Sequence, residues 1–321
     1  MTYNIMQSNV MKKNLVKKSI LTFNFGNNIQ LLLLCLPAIV FLFIFNYIPM
    51  GGLIIAFKDF RIDKGFWGSE WIGLKNFEFF FKSETAWRVT RNTVCYNAVF
   101  IISGLIFSLI LAILLYEITN KFFVKVYQTL MFVPYFLSWV VVSCILFSLI
   151  DPKLGFLNRL IASVGIQPPD WYFDPKWWPA IFILMNLWKG LGYSTVIYYA
   201  AIIGINQEYY EAAKIDGANK FQTIKNITIP FLMPLICMLT LISIGRIFNA
   251  NFDMFFNLPK DNGLLYSTCD VIDTYVYRAL KVTGDTGMAM AAGFYQSIVG
   301  FILVLGSNYI VGKINDENTA F

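Results

Sequence analysis

Histidine does not occur in this 321-residue chain, and charged residues make up only 14% of it. Without histidine, the chain cannot form a Ser-His-Asp or Cys-His catalytic arrangement, an HExxH zinc site or an imidazole proton relay. The sequence also contains neither a GxxxxGK(S/T) phosphate-binding loop nor a GxGxxG dinucleotide fingerprint. These absences remove the commonest catalytic machinery, and we predict that the chain is not an enzyme.

Cysteine is scarce and irregularly spaced. The five cysteines show no CxxC spacing, and their odd number argues against a disulfide framework and against a zinc site. They are Cys35, Cys95, Cys144, Cys237 and Cys269. Most of them fall inside apolar segments, where cysteine behaves as a small apolar residue. We therefore expect packing residues and no metal site.

Polar surface is also scarce, because 57% of the residues are hydrophobic and the mean hydropathy is +0.60. An ordinary soluble domain is about 45–50% apolar and about 25% charged. This composition excludes a soluble enzyme, a disordered chain and a secreted disulfide scaffold, and it predicts a polytopic membrane protein. The net charge of +6 is spread along the chain, so we expect no nucleic-acid partner.

Six segments are long and apolar enough to cross a membrane, which takes about 20 residues in a helix. They cover residues 29–49, 94–115, 128–150, 178–203, 231–250 and 288–312. The first is too long for the core of a signal peptide and lacks an A-x-A cleavage pattern, so we interpret it as a retained anchor. The predicted fold is an all-α integral membrane protein with one transmembrane domain at 29–312, an N-terminal segment at 1–28 and a tail at 313–321.

The charge pattern favours one orientation without settling it. Four lysines precede the first segment, and Lys121 and Lys125 lie in the short loop between the second and third segments. Because basic residues resist translocation, both observations favour cytoplasmic N and C termini. The total number of basic residues on each side does not distinguish the two orientations.

Three longer segments lie outside in that orientation. Residues 58–93 mix aromatic and charged side chains, which is typical of one or two amphipathic helices at the membrane interface. Residues 151–177 lead into a tryptophan cluster (Trp171, Trp177 and Trp178) that we expect at headgroup level at the start of the fourth span. The third outer segment covers residues 251–286.

The loop between the fourth and fifth spans, residues 206–230, reads NQEYYEAAKIDGANKFQTIKNITIP. Its composition predicts a first helix over 208–215 with Asn206 as N-cap, an interruption at Gly217, and a second helix over 219–229 before Pro230 opens the next span. We expect Asp216 and Lys220 to pair at i, i+4. An ordinary amphipathic connector is the alternative interpretation of this loop.

A larger pattern in the same loop resembles the signature of bacterial ABC-importer permeases, E-A-A-x-x-x-G followed after nine further residues by I-x-L-P. The matching residues are Glu211, Ala212, Ala213, Gly217, Ile227 and Pro230, with Ile229 where that family usually has leucine. Asp216, Ala218, Gln222, Thr228 and Pro234 resemble the carbohydrate-uptake (maltose-type) branch. Residues 267–280 (STCDVIDTYVYRAL) resemble its polysaccharide and complex-oligosaccharide subgroup.

This resemblance implies a type I ABC importer permease fold with cytoplasmic termini, in the bacterial plasma membrane. The loop would be a coupling helix that docks on a cytoplasmic ATPase through Glu211, Ala212, Ala213, Asp216 and Gly217. The implied partners are a second homologous permease subunit, two ATP-binding subunits, an extracytoplasmic sugar-binding protein, an oligosaccharide and membrane lipid. ATP and Mg²⁺ would bind the ATPase, so no cofactor is expected in this chain.

Polar residues within spans suggest where a sugar would pass, because such residues usually face a cavity or the bundle interior. In the fourth span, Trp188, Lys189, Gly190 and Tyr193 resemble the substrate-contacting stretch of maltose-type permeases. Packing of small residues against a neighbouring helix is the alternative.

Further candidates are Arg246, Asn249 and Asn251 at the end of the fifth span and Tyr295 in the sixth. Lys189 and Arg246 together would make the pathway cationic, which favours acidic sugars such as uronates. The alternative is that each cation is paired structurally with Asp253, a partner chain or backbone carbonyls.

A stand-alone secondary transporter or channel is the competing function, with Lys189 and Arg246 as coupling charges. The spans contain no carboxylate suited to proton coupling and no obvious internal repeat. The sequence therefore favours the permease subunit of an oligosaccharide importer.

Overall fold

The computed structural model describes residues 25–78 and 82–314. Most of the expected N-terminal segment at 1–28 and of the tail at 313–321 lies outside the described residues. The cytoplasmic location of both termini stays a prediction.

The chain divides into two units, Met1–Ile54 and Ile55–Phe321. In the first unit, α1 (Phe25–Leu42) continues through a π-helical turn (Phe43–Tyr47) into α2 (Ile48–Met50). A 3₁₀ helix then covers Gly51–Phe57. The predicted first span lies within this helical run.

The second unit is built mainly from helices. In chain order they are α3 (Gly65–Gly68), α4 (Glu84–Tyr116), α5 (Lys121–Phe132), α6 (Trp139–Ile150), α7 (Phe156–Ser163), α8 (Trp178–Ile203), α9 (Gln207–Ile215), α10 (Lys220–Thr223), α11 (Ile229–Gly245), α12 (Phe252–Asn257), α13 (Tyr266–Cys269), α14 (Ile272–Arg278) and α15 (Thr286–Ile314). Shorter 3₁₀ turns cover Lys75–Phe77, Val133–Phe136, Pro175–Trp177 and Gly263–Leu265, and π-helical turns cover Ile224–Thr228 and Ala279–Thr283.

Five helical runs among the described residues are long and apolar enough to cross a membrane, and a bent pair of helices supplies a sixth crossing if it counts as one span. The longest helix is α4, whose 33 residues span about 50 Å at 1.5 Å per residue. It begins ten residues before the predicted span because the Ser83 side chain caps it by accepting from the Thr85 N–H.

The predicted third span is a bent pair of helices, and the prediction of one continuous helix over 128–150 was wrong. The run Lys121–Phe136 meets α6 at a bend of 100°. Pro134 lies in the 3₁₀ turn at the bend, and Leu137 and Ser138 are extended. The Ser138 side chain then caps α6 by accepting from the Val141 N–H. Proline and a serine cap were thus signals of a break inside an apolar run.

The fifth span also differs from the prediction at both ends. Its helical run covers Lys220–Gly245, so the second helix of the loop continues through the π-helical turn into α11 with no break at Pro230. The helix ends at Gly245, and residues 246–251 form a turn before α12.

Residues 84–93 belong to α4, but residues 58–78 do not form a predicted amphipathic helix. Instead β1 (Lys58–Asp59) pairs antiparallel with β2 (Glu70–Trp71), with Lys58 opposite Trp71. The Asn76 side chain secures this hairpin by donating to the Ala56 and Lys58 carbonyls, both at 3.0 Å. The hairpin is the one sheet among the described residues of an otherwise helical fold.

The main core lies where the segments between spans, which we predict on the outer side, meet the ends of the long helices. It joins Tyr96 of α4, Trp139 of α6, Phe182 of α8 and Phe255 of α12 in one buried cluster. The segments between spans therefore fold onto the bundle as packed structure.

One residue of the tryptophan cluster, Trp178, occupies a different environment from the one predicted. Trp178 is the first residue of α8, as expected for the start of the fourth span, but it is fully buried. Its indole N–H donates to the Tyr172 carbonyl at 2.9 Å. Trp171 and Trp177 are half-buried and contact each other with ring centroids 4.5 Å apart. Trp178 is thus a core residue and not a headgroup anchor.

A buried ion-pair network fixes the outer segment before the last span. The Asp270 side chain is 1% exposed and accepts from Arg278 Nη2 at 2.5 Å and from the Thr274 hydroxyl at 2.8 Å. Arg278 Nη1 also pairs with Asp261 at 2.9 Å. A buried guanidinium that loses its carboxylate keeps its desolvation cost without the attraction that offset it.

We predict that Asp270→Ala lowers stability by about 3–5 kcal/mol, the usual cost of breaking a buried ion pair. Thermal unfolding of the purified chain in mild detergent measures the loss. The control is Arg61→Ala, because the Arg61–Asp63 pair is more than half exposed on both sides and should contribute about 0–1 kcal/mol. Equal midpoints for the two variants would contradict the structural role of this network.

Candidate functional site: a membrane cavity and an exposed loop

A cavity of about 410 Å³ lies between α4, α8 and the end of α11. Its walls are largely apolar, with a minority of polar side chains. The polar and aromatic hydrogen-bonding residues are Asn97, Ser108, Tyr193, Ser194, Tyr198, Thr240, Ser243, Arg246 and Asn249. Such a mixture of an apolar wall and a few polar groups is typical of small-molecule sites.

Three of the predicted pathway residues, Tyr193, Arg246 and Asn249, come together in the lining of this cavity. Trp188, Lys189, Gly190, Asn251 and Tyr295 are not in its lining. Asn251 instead caps α12 by accepting from the Met254 N–H. Tyr295 contacts the ring of Phe248 edge-on.

Sequence reasoning missed Asn97, Thr240 and Ser243. Each is a polar residue within an apolar helical run, which is the signal that could have selected it. Asn97 is the most informative of the three, because an amide is costly in a membrane span unless its hydrogen bonds are satisfied.

Among the described residues that line the cavity, Arg246 alone carries a formal charge. It is exposed and lies one residue beyond the end of α11. A guanidinium presents donors in a planar fork that matches a carboxylate. The cavity therefore combines a carboxylate-binding group with hydroxyl and amide groups that can bond neutral hydroxyls.

Tyr193 has one ring face occupied from within the chain. Its ring stacks on that of Tyr135, with centroids 5.0 Å apart and planes 11° apart. Tyr135 lies in the 3₁₀ turn at the bend of the third span. The broken span thus supports an aromatic wall of the cavity.

The Lys189 side chain is hydrogen-bonded to backbone carbonyls at that same bend. Its Nζ donates to the carbonyls of Tyr135 at 2.7 Å and Leu137 at 2.6 Å, with the Pro134 carbonyl at 3.4 Å. The rings of Tyr135 and Trp139 lie 5.6 and 5.5 Å from the ammonium. A bend in a span frees carbonyls that lipid cannot satisfy, and Lys189 supplies the donors. This arrangement matches the alternative in which the lysine is held by backbone carbonyls.

Close helix packing depends on Gly192 and not on Gly190. A Cβ at Gly192 would lie 1.9 Å from the Met131 carbonyl oxygen, so α8 and α5 approach each other backbone to backbone there. A Cβ at Gly190 would meet no atom within 4 Å. Only one of these two glycines is therefore required for packing within the chain.

The loop has the predicted helix–glycine–helix form. The Asn206 side chain caps α9 by accepting from the Glu208 N–H at 3.1 Å. Gly217 ends α9 in the left-handed conformation, with φ of 75°, and the Ala218 N–H bonds back to the Ala213 carbonyl at 2.9 Å. Asn219 and Gln222 form a capping box at the start of α10.

In the part of the chain that the structure describes, the side of the loop that faces away from α4 is exposed. Glu211, Ala212, Asp216 and Gly217 are exposed and Ala213 is half-buried. Two large apolar side chains extend this surface, since Ile215 is 86% exposed and Phe221 is 74% exposed. Sequence reasoning missed both, although apolar residues in an otherwise polar loop were the available signal. An exposed apolar patch with a polar rim is typical of a protein-binding surface.

The side of the loop that faces the protein, which we call its inner surface, contacts the end of α4. Gln207 donates to the Tyr116 hydroxyl at 2.9 Å, and the Tyr116 and Tyr210 rings lie 5.6 Å apart. Lys220 pairs with Glu117, and not with Asp216 as expected.

A second contact ties the loop to the start of the fifth span, where the Tyr210 and Thr228 hydroxyls are hydrogen-bonded at 3.2 Å. Burial raises the pKa of Tyr210, so this hydroxyl keeps its proton at physiological pH. Because α4 and α11 both line the cavity, the loop is fastened to two of the cavity walls.

We predict that Gly192→Ala prevents normal packing of α8 on α5 and destabilises the chain by at least about 1–3 kcal/mol, the usual cost of overpacking. The yield of folded chain and its unfolding midpoint in detergent measure the effect. Gly190→Ala is the matched control, on the same helix and with open space at its Cβ. The packing argument fails if Gly192→Ala is as stable as Gly190→Ala.

Comparison with known proteins gives one family and several relatives. The family model described as "Binding-protein-dependent transport system inner membrane component" matches residues 104–314. Protein LplB of Bacillus subtilis (strain 168) is 35% identical over 287 residues, covering 89% of this chain and 90% of LplB. The polygalacturonan/rhamnogalacturonan transport system permease protein YteP of the same organism is 34% identical, covering 89% of each chain.

Solved structures give the same result at the level of the fold. A chain of a bacterial ABC transporter involved in the import of the acidic polysaccharide alginate superposes with a TM-score of 0.83 and 32% identity, covering 91% of this chain and 98% of that one. A chain of a bacterial alginate ABC transporter in complex with its alginate pentasaccharide-bound periplasmic protein gives 0.83 and 30% identity, covering 94% and 99%.

Proposed function

The chain belongs to the family of binding-protein-dependent transport system inner membrane components, and from that premise we propose that it is the permease subunit of an ATP-driven importer of acidic oligosaccharides. It is a multi-pass protein of the bacterial inner membrane. Two of its relatives are transport proteins named for polymers that contain carboxylated sugars. They are the polygalacturonan/rhamnogalacturonan permease and the alginate transporter. These relatives support an acidic substrate for this chain as well.

The position of Arg246 is the observation that carries this proposal. It places one guanidinium in a cavity whose other polar groups are hydroxyls, two phenols and amides. A uronate unit offers one carboxylate and several hydroxyls, so each class of group has a partner in the lining. Lys189 is not in the lining of the cavity, and its ammonium donates to the carbonyls at the bend.

In the proposed pathway, this chain contributes one wall and a second homologous permease subunit encloses the other side. An extracytoplasmic sugar-binding protein would deliver the oligosaccharide. The affinity for substrate would then come mainly from the binding protein, and the cavity would need only weak and selective contacts.

In the proposed coupling step, the exposed surface of the loop docks on one of two cytoplasmic ATP-binding subunits. Glu211, Ala212, Ala213, Asp216 and Gly217 would contact that subunit, with Ile215 and Phe221 adding apolar contacts. ATP and Mg²⁺ would be held by the ATPase. This arrangement requires a cytoplasmic loop and hence cytoplasmic N and C termini.

The contacts on the inner surface of the loop explain how such docking would reach the cavity. Movement of α9 would be transmitted to α4 through the Gln207–Tyr116 bond and to α11 through the Tyr210–Thr228 bond. Movement of α10 would reach the end of α4 through the Lys220–Glu117 pair. Both α4 and α11 line the cavity, so closure of the ATPases would change its shape. A stand-alone transporter with Lys189 as a coupling charge agrees less well with the structure, because the Lys189 ammonium donates to the backbone carbonyls at the bend.

We predict that Arg246→Met lowers the maximal rate of uptake of oligogalacturonate by about tenfold, because a charge-assisted hydrogen bond is worth roughly 1.5–3 kcal/mol. The assay uses the complete importer in proteoliposomes with saturating binding protein. Arg246→Lys should keep part of the rate, since it retains the charge but not the fork. Arg159→Met, at an exposed position of α7, controls for loss of a cation elsewhere. Full activity of Arg246→Met would overturn the assignment of a carboxylate contact.

We predict that Ile215→Asp abolishes co-purification of the ATPase with the tagged chain, because it places a charge in the proposed apolar contact. The matched control is Ile166→Asp, an isoleucine that is 61% exposed in the outer segment and should leave the ATPase bound. Recovery of the ATPase in matching amounts with Ile215→Asp would refute docking through this surface.

A further inference from the structure

Two of the polar residues that line the cavity lie in a turn between two helices. Residues 246–251 connect α11 to α12, and this turn presents Arg246 and Asn249 to the cavity. Its own backbone bonds are local, such as the bond from the Asn249 N–H to the Arg246 carbonyl at 2.9 Å. Contacts from outside the turn must therefore decide where the two side chains lie.

The first such contact comes from α4. The Asn97 amide donates to the Ile247 carbonyl at 2.8 Å and to the Asn249 carbonyl at 3.2 Å. One side chain thus holds two backbone groups on either side of Phe248. Asn97 also lines the cavity itself.

The remaining contacts come from α15 and α14. The buried Gln296 amide donates to the Phe248 carbonyl at 2.6 Å and lies 3.3 Å from Asp273 Oδ2. The same carboxylate oxygen accepts from the Ala250 N–H at 2.8 Å. We call Asn97, Asp273 and Gln296 the turn clasp. Together they bond every residue of the turn from Ile247 to Ala250.

A carboxylate such as that of Asp273 is an unusual acceptor for a buried backbone N–H. Burial raises its pKa above the usual range for aspartate, because the folded chain removes water from the charged form. An asparagine would present an oxygen to the Ala250 N–H at a lower desolvation cost.

Asp273 also belongs to α14, whose last residue, Arg278, pairs with Asp270 just before the helix. The clasp therefore joins the turn to the outer segment of the fold as well as to two long helices.

We propose that the turn clasp positions Arg246 and Asn249 for the carboxylate and hydroxyls of the substrate, so that Asn97, Asp273 and Gln296 are positioning residues for transport of acidic oligosaccharides. This inference rests on the proposed function. The three residues lie on three different helices, and Asp273 and Gln296 are not in the cavity lining. The inference therefore assigns part of the selectivity of the site to residues outside its lining. A purely structural clasp would hold the fold together without any particular link to Arg246.

A double-mutant cycle distinguishes the two roles, because residues that act through one another show non-additive effects. The variants are Asp273→Leu, which removes the acceptor for the Ala250 N–H at similar volume, Arg246→Met, and the two combined. Asp273→Asn keeps an acceptor oxygen and serves as the conservative variant. Ser297→Ala is the control, because this hydroxyl, next to Gln296, donates to the Gly293 carbonyl of its own helix.

The measurement is the maximal rate of oligogalacturonate uptake by the complete importer in proteoliposomes, with co-purification of all subunits as the check on assembly. We expect Asp273→Leu to lower the rate by about tenfold, equivalent to about 1.4 kcal/mol. In the Arg246→Met background the same change should have an effect of less than about twofold. Asp273→Asn and Ser297→Ala should stay close to the unmodified chain.

Equal fractional losses in both backgrounds would overturn the positioning role, and so would an unchanged rate for Asp273→Leu. If Asp273→Leu does not assemble, the same cycle with Gln296→Met decides the question, since methionine keeps the length of glutamine without its donors. Failure of the unmodified importer to take up oligogalacturonate would instead overturn the proposed substrate. That measurement precedes the variants, so the two kinds of failure are distinguishable.

Discussion

The structure depends on one constraint, which is that every backbone N–H and C=O inside a membrane must be bonded within the protein. Continuous helices meet this constraint by themselves, as α4 and α8 do. Among the described residues, α-helical bonding is interrupted at the bend of the third span and ends in the turn after the fifth. At both places, polar side chains from other helices satisfy the backbone groups that the break leaves open. The placement of polar residues in this apolar chain follows largely from that need.

Two cations that look alike in the sequence have different roles because of these breaks. Lys189 faces the bend and donates to the carbonyls of Tyr135 and Leu137. Arg246 lies in the other break and lines the cavity. The difference comes from the local supply of acceptors, since one break presents free carbonyls to the nearby ammonium while the other has its carbonyls taken by amide side chains.

The long helix α4 connects the regions that the proposed function requires. Near its start, Asn92 and Tyr96 donate to carbonyls of the outer segment that precedes α14. In its middle, Asn97 holds the turn beside the cavity, and at its end Tyr116 holds the loop. A rigid helix of about 50 Å with fixed contacts along its length can carry a displacement from one membrane face to the other.

The sequence by itself determined the class of protein, the number of apolar segments and the form of the loop. The hydropathy of a segment indicates whether it lies in lipid or in water. Helix caps such as Asn206 and the left-handed Gly217 depend on a few neighbouring residues. Spans and caps can therefore be recognised from local sequence. Tertiary structure alone decided that Trp178 is buried and that Arg246 but not Lys189 lines the cavity. Those outcomes depend on which backbone groups meet across helices far apart in the chain, and no local pattern specifies that meeting.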